Sequence, residues 1–310
     1  MSGYTDEESL AIYDDARAVA NALEALGHEV MTTRFNLNLG AFSHDLMAYN
    51  PGLVFPLVEG IPPWTERWVC MVQAVLEEMH LPYVGNDAMT MFMTQSKATM
   101  KHVLRCNHIM TPEVLQLGSM PGMFIVKAQS MQGSYKLDSN SLVDVVDPAP
   151  VLERVRQLSQ ADGKRFFAER FIEGREFTAC ILGGDVFVAE VVYRKPGFET
   201  FEAKWQTGAE GDLNTYLKTW FWNDDVPGKV GMVARKVWDA FYMSGWARVD
   251  MRVSAFGNIN VIDVNSNPSL GEADNFIRTV AKFGVTQMEV VHRLMGIAMK
   301  RHEKLDGVYS

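Results

Sequence analysis

Arg248, Asp250, Asp263 and Asn265 fall in one short stretch, Trp246-Ala-Arg-Val-Asp-Met-Arg-Val-Ser-Ala-Phe-Gly-Asn-Ile-Asn-Val-Ile-Asp-Val-Asn-Ser-Asn-Pro268. Alternation of polar and apolar residues on both sides of Phe256-Gly257 predicts two antiparallel strands joined by a turn. Pairing about that centre sets Arg248 opposite Asn265 and Asp250 opposite Asp263 on one face. Val249 then faces Val264, and Met251 faces Ile262, on an apolar side meant for a core. Two carboxylates at cross-strand spacing repel each other unless a cation lies among them. Oxygen ligands of this kind suit Mg²⁺, which keeps several waters and also takes substrate phosphates. The alternative is a surface hairpin closed by an Arg248–Asp250 ion pair. The polar exit Asn265-Ser-Asn-Pro268 favours a site, because a mere hairpin needs no such groups.

Positive charge enters from two other segments. Lys97 and Lys101 stand at i and i+4 of a predicted helix, and Lys127 ends the apolar run Met123-Phe-Ile-Val. A lysine leaving a strand into a small polar loop, Gln129-Ser-Met-Gln-Gly-Ser-Tyr-Lys136, can reach a phosphate while backbone N–H groups at Gly133 and Ser134 cover the rest. Taken alone this is a weak signal, since most lysines beside loops are solvated. Ala168-Glu-Arg-Phe-Ile-Glu-Gly-Arg-Glu176 is more pointed: Glu169 and Glu176 flank a strand–turn–strand, and their carboxylates could accept from an amino group and a ribose diol. A solvated acidic turn is the competing reading.

The elements that must position these groups change character along the chain. Residues 5–26 have the apolar stripe of a helix (Leu10, Tyr13, Ala16, Val19, Ala20, Leu23), with Gly27 just past its end. Short strands are expected over 28–35 and 52–58, the second a continuous apolar run of the parallel-sheet kind. Helices over 66–80 and 87–106 complete an α/β alternation that, unusually, opens on a helix. From Met123 onward the texture turns to strands over 123–126, 165–171, 176–182 and 185–193, the last two joined at Gly183-Gly184. Helices over 229–243 and 286–302 flank the acidic hairpin. The 310 residues suggest two or three domains, and the net charge of −9 argues against a nucleic-acid partner. Cys70, Cys106 and Cys180 are not in metal-ligand spacing, and are expected as reduced, buried thiols of a cytoplasmic protein. No run approaches a membrane span, and the acidic first residues lack the apolar core of a signal peptide.

The order of these pieces resembles the ATP-grasp superfamily, and most closely its D-alanine–D-alanine ligase branch. The matching pieces are Phe55-Pro-Leu-Val-Glu-Gly60, Leu81-Pro-Tyr-Val-Gly85, Ser96-Lys97, Ile125-Val-Lys127, Gly133-Ser134, Glu169 and Glu176, Glu202-Ala-Lys204, Arg248-Val-Asp250 and Asp263-Val-Asn265. The resemblance implies an α/β (α+β) chain of three subdomains, with nucleotide between two antiparallel-sheet subdomains. The division expected is 1–112 for the substrate side, 113–190 for the central part and 191–310 for the part with the metal site. It also implies ATP held by Lys97 and Lys127, its adenine amino group on Glu169 beside the Phe171 and Ile172 backbone, and its ribose on Glu176. Lys204 would reach the transferred phosphate. Asp250, Asp263 and Asn265 would bind one or two Mg²⁺ ions, with Mn²⁺ as a substitute, and Asp263 stands where the family more often has Glu. Arg248 would stabilise the oxyanion formed when an amine displaces phosphate from an acyl-phosphate.

The departures fall at substrate positions. The family's first strand and the glutamate after it are not cleanly present; Glu7 or Glu8 is a loose substitute and Glu59 a further source of that charge. Glu199 stands where the family has Tyr, Ser269 where it has Gly in the oxyanion-hole turn, and Asp274 where it has the serine that meets the second D-alanine's carboxylate. A carboxylate about 4 Å from Asp274 would meet repulsion of roughly 1 kcal/mol in water and about 4 at intermediate screening. The expectation is therefore a peptide-bond-forming carboxylate–amine ligase, acting on an amino acid or small peptide, with an acceptor other than D-alanine. A true D-alanine–D-alanine ligase with a drifted loop and a non-catalytic nucleotide-binding protein stay open, as does a homodimer.

Overall fold

The computed structural model describes residues 6–35, 37–60, 68–130, 135–193, 215–219 and 223–309. Its N-terminal part is helical: α1 (Asp6–Ala25), α2 (Leu39–Tyr49), α3 (Cys70–Glu78), α4 (Ala88–Gln95) and α5 (Lys97–Cys106). Gly27, with φ +89°, stands just past α1 as its sequence position suggests. The two strands expected here do not form. Residues 28–35 have no regular structure, and 52–58 contribute one parallel bridge, Val54 to Tyr83. Their apolar side chains pack instead of pairing: Phe35 and Val54 join Phe42, Leu46, Val72, Leu76 and Tyr83 in one cluster. The single helix expected over 87–106 is two helices. Ser96 leaves helical backbone at φ −101°, ψ 113°, and its hydroxyl accepts from the Thr99 N–H, so it ends α4 and caps α5. Lys97 thereby starts a helix, and its N–H donates to Gln129 O beyond the strand that carries Lys127.

β1 (Gly122–Ala128), β2 (Leu142–Val145) and β3 (Phe166–Arg170) form an antiparallel sheet in the order β2-β1-β3, covered by α6 (Pro148–Asp162). The second sheet runs β6 (Thr215–Lys218), β5 (Asp185–Tyr193), β4 (Arg175–Leu182), β7 (Trp246–Val253), β8 (Ile259–Asn265), with every neighbour antiparallel. The chain passes from one sheet to the other across residues 171–174, so the sequence division at 190/191 runs through β5. Alternation sorts the second sheet into two faces. Phe177, Ala179 and Ile181 of β4 and Ala247, Val249, Met251 and Val253 of β7 are buried against α7 (Val226–Ala240), whose Val230, Ala234 and Val237 recur at helical spacing. The other face pairs Glu176 with Arg252, Thr178 with Asp250 and Cys180 with Arg248. Toward Trp246 that face is closed by α8 (Asn275–Ala281), α9 (Gln287–Tyr309) and α1.

The acidic hairpin pairs as its sequence predicts at Arg248–Asn265, Val249–Val264 and Asp250–Asp263. Beyond Asp250 it departs: a bulge sets Met251 opposite Val261 rather than Ile262. Strict alternation would have kept Val261 on the polar face with Asp263. The extra residue turns Val261 into the core, where it is fully buried, and leaves Ile262 half-buried. Two side chains tie the helical part to the C-terminal part, Asn86 to this hairpin and Arg301 to α9. Asn86 donates to Trp246 O and Ser266 O at 2.8 and 2.7 Å, and Arg301 of α9 donates to Tyr83 O and Gly85 O. Cys180 is buried and Cys70 half-buried, but Cys106 is exposed, against the expectation of three buried thiols. Among the described residues no helix is long and apolar enough to cross a membrane.

Candidate active site

Asp250 and Asp263 face each other across β7 and β8 and stand side by side on the polar face of the sheet. Asp250 accepts from Thr178 Oγ1 at 2.9 Å and lies 3.2 Å from Arg248 Nε. The Arg248–Asp250 ion pair offered as the alternative to a site is therefore present, inside the same cluster. Burial pushes the Asp250 carboxyl above its usual range, with Asp263 and Glu176 adding to the rise against Arg248 and Thr178. Burial acts the same way on Asp263, but Lys97, Lys127 and Arg248 outweigh it and hold that carboxyl below its usual range. Asp263 Oδ1 is buried with no hydrogen-bond partner among the described residues, and the Lys97 ammonium is 3.6 Å away. Asn265 Oδ1 accepts from the Asn267 N–H at 2.9 Å, which leaves one lone pair for another partner.

Among the described residues no three His, Cys, Asp or Glu side chains converge on one point. Two carboxylates and an amide nevertheless fit Mg²⁺, which is commonly held by one or two carboxylates plus waters and phosphates. The orphaned buried oxygen of Asp263 and the upward push on Asp250 both describe carboxylates that gain from a cation.

Across from the carboxylates lie three lysines. Lys97 opens α5, Lys101 sits one turn further along it, and Lys127 comes from the end of β1. Lys101 is fully buried, its Nζ 2.5 Å from Glu169 Oε2, and it donates to Thr111 Oγ1 at 2.9 Å. Lys127 pairs with the other oxygen, Glu169 Oε1. Burial lowers the Lys101 ammonium to about 8 even though Glu169 opposes the shift. Burial likewise would raise Glu169, but Lys127 and Lys101 hold it low. The sequence reading gave Lys101 no role and gave Glu169 an adenine contact; the structure turns both Glu169 oxygens to lysines. Among the described residues, Lys97 meets Asp263, and Lys101 and Lys127 share Glu169. Gly133 and Ser134 lie outside the described residues.

At the end of this face away from Trp246, Glu176 is paired with Arg252, a residue the sequence reading passed over. The Phe171 N–H already donates to Met123 O, and Ile172 O accepts from Arg252. At the opposite end, Arg248 NH1 lies 3.7 Å from Asp274 Oδ1. Asp274 also caps α8 by accepting from the Phe276 N–H at 2.9 Å. Ser269 Oγ donates to Asp15 of α1 and accepts from the Gly271 N–H. The α1 carboxylate that reaches this turn is thus Asp15, which the stripe-based reading of the helix missed; the side chains of Glu7 and Glu8 lie outside the described residues. Glu59 follows Val58, whose carbonyl accepts from Asn267 Nδ2, so its segment borders the same turn. Glu199 and Lys204 lie outside the described residues.

Gly271 makes the approach of Asp15 possible, since a Cβ there would overlap Asp15 Oδ1. Gly271→Ala is expected to lower stability by about 1–3 kcal/mol, read by thermal unfolding, and adding Asp15→Ala should recover part of the loss. A Gly271→Ala protein as stable as the parent would show that Asp15 does not sit against this turn.

A family model described as D-ala D-ala ligase C-terminus matches residues 124–296, more than half of the chain. The chain belongs to that family. The match spans both sheets and every described group of the site on β1, β3, β4, β7 and β8. D-alanine–D-alanine ligase from Moorella thermoacetica is 26% identical over 322 residues, covering 97% of this chain and 98% of its own length. The corresponding ligase from Aquifex aeolicus is 25% identical over 277 residues, covering 88% and 90%. Among solved structures, the ATP complex of D-alanine–D-alanine ligase from Bacillus anthracis superposes with a TM-score of 0.72 at 18% identity, covering 98% of this chain and 97% of that one. The VanG D-Ala:D-Ser ligase from Enterococcus faecalis gives 0.62 at 17%, covering 80% and 73%. These structures share the ATP-grasp fold with this chain. Membership in the D-alanine–D-alanine ligase family makes the protein an ATP-grasp carboxylate–amine ligase.

Proposed function

We infer that this ligase converts the carboxylate of an amino acid or small peptide to an acyl-phosphate with ATP and joins it to an amine other than D-alanine. One observation supports this most: a single sheet face sets the Asp250–Asp263 pair between the lysines Lys97 and Lys127 and the guanidinium of Arg248. Lys97 and Lys127 would bind the phosphates, with Lys204 meeting the transferred group. Asp250, Asp263 and Asn265 would hold one or two Mg²⁺ or Mn²⁺ ions, which when bound neutralise phosphate charge. Phosphates would draw Lys127 from Glu169, freeing a Glu169 oxygen for the adenine amino group beside Phe171 and Ile172, with the ribose on Glu176. A carboxylate oxygen attacks the γ-phosphorus and ADP leaves. The amine nitrogen then attacks the acyl carbon, and phosphate departs as the amide forms. Arg248, held charged by Asp250 and Asp274 against the cost of burial, would stabilise the oxyanion of that second step.

The acceptor end carries Asp15, which accepts from Ser269, and Asp274, which pairs with Arg248, and Glu59 and Glu199 belong to the same substrate side in this reading. Arg248 is already paired with Asp250 and Asp274, and the further carboxylate of Asp15 on the adjoining turn disfavours a free acceptor carboxylate and favours a basic or carboxylate-blocked amine. The test is ADP formation from Mg·ATP with a panel of amino-acid pairs and blocked amines, with product masses. Asp274→Ser should raise D-alanine-dependent ADP formation by about tenfold or more, the equivalent of about 1.4 kcal/mol. Efficient D-alanine dimerisation by the unaltered protein would reverse the acceptor assignment.

A further inference from the structure

The polar face of β7 presents three groups in line: Arg248, Asp250 and Arg252. Strand geometry separates successive members by roughly 7 Å. At Arg248 the face meets Asp274 and the Ser269 turn, which is the acceptor end. A nucleotide whose phosphates lie at Asp250 and Asp263 must therefore extend the other way, toward Arg252. There the guanidinium makes an unusual set of contacts for a residue only 5% exposed. Its Nε and NH2 donate to Glu176 Oε2 at 2.8 and 2.7 Å, its NH1 donates to Ile172 O at 3.1 Å, and its plane lies 4.7 Å from the Phe171 ring centroid. Glu176, Ile172 and Phe171 are the residues that the ATP reading assigns to the nucleoside; Tyr193 of β5 also interacts with Arg252.

We propose that Arg252 is a nucleotide-positioning residue that sets selectivity for the ribose, by holding Glu176 and the Phe171–Ile172 backbone in place before ATP binds. The inference rests on the ATP-ligase reading. A glutamate beside a ligand hydroxyl is useful only if its carboxylate keeps one orientation. A lone Glu176 on a strand would rotate freely or swing to solvent. Two donors on Oε2 hold that oxygen in place and leave Oε1 outside the Arg252 fork, available to a ligand hydroxyl. The fork also reaches Ile172 O, so it joins β4 to the crossing between the two sheets, 171–174, where the base would lie. Arg252 thus acts through Glu176 and the backbone rather than on the reacting atoms.

The experiment titrates ATP and 2′-deoxyATP, each with Mg²⁺, into the full-length chain and into Arg252→Met and Arg252→Lys. The parent is expected to prefer ATP by about tenfold or more, as befits hydroxyl bonds to a fixed carboxylate. Arg252→Met should bind ATP more weakly and lose most of that preference, to about twofold. Arg252→Lys keeps a charge on Glu176 but cannot serve Glu176 and Ile172 together; it should fold in any case and still lose at least about half of the preference on a logarithmic scale. A purely structural arginine would change thermal unfolding while leaving the ratio of the two nucleotides alone. An unchanged ratio in both variants overturns the proposal and leaves the ligase reading standing. A parent chain that binds no Mg·ATP overturns both.

Discussion

Asp263→Asn is expected to abolish turnover, a fall of about 10³-fold or more, while the circular dichroism of the folded chain is kept. The substitution barely changes shape, so the effect is one of charge and donor direction. Asp263 is held ionised by Lys97, Lys127 and Arg248, and its buried Oδ1 has no hydrogen-bond partner among the described residues. An amide removes the negative charge that a divalent cation needs. In the flipped orientation it also turns an N–H donor toward Lys97, whose ammonium is 3.6 Å from that oxygen. Raising Mg²⁺ should recover little of the lost rate. ADP release from Asp263→Asn at the parent rate and at ordinary Mg²⁺ would remove this residue from the metal set.

Arg248→Ala should lower turnover by roughly 10²–10³-fold, with a much smaller change in ATP affinity. The guanidinium acts on charge that develops as the amine attacks, after the nucleotide is bound. It is already fixed by Asp250 at 3.2 Å and Asp274 at 3.7 Å, so no reorganisation is needed when the oxyanion appears. Its loss also leaves those two buried or half-buried carboxylates without a counter-ion, so thermal stability should fall as well. Arg248→Lys separates the two effects, because it keeps a charge for the aspartates and loses the planar fork. It should recover stability more fully than rate. An equal loss of ATP binding and turnover in Arg248→Ala would make Arg248 a phosphate ligand instead.

The catalytic hairpin was legible because strand alternation and a turn leave only one register that buries Val249 and Val264 together. The same rule failed at Met251. Alternation carries no signal for a bulge, and only the full burial of Val261 shows why the register shifts there. The order of charged groups along the chain pointed to the ATP-grasp fold, and β1, β3, β4, β5, the β7–β8 hairpin and α7 followed their periodicity, whereas β2, β6 and α6 were not read from the sequence. The N-terminal strands did not. Residues 28–35 and 52–58 have strand-like composition, yet side-chain packing around Phe42, Leu46 and Leu76 satisfies their apolar surface without a ladder. Ser96 reads as an ordinary polar residue within a long helical pattern, and its role as a cap depends on the chain leaving helical backbone there. The pairings that reshape the site, Lys101 with Glu169, Arg252 with Glu176 and Asp15 with Ser269, join residues far apart in sequence. Spacing along the chain says nothing about such pairs. Asp15 in particular sits in a helix whose pattern advertises only its apolar stripe.

In the proposed reaction the carboxylate is activated as an acyl-phosphate. Hydroxylamine in place of the amine tests it most directly, because it traps an acyl-phosphate as a hydroxamate whatever the natural acceptor. The full chain, Mg·ATP, hydroxylamine and a panel of amino acids and short peptides are combined, and ADP and hydroxamate are measured together. At least one carboxylate is expected to give hydroxamate and ADP in equal amounts, and Asp263→Asn to give neither. ATP bound by the parent chain, but with no carboxylate-dependent ADP or hydroxamate across the panel, would contradict that activation.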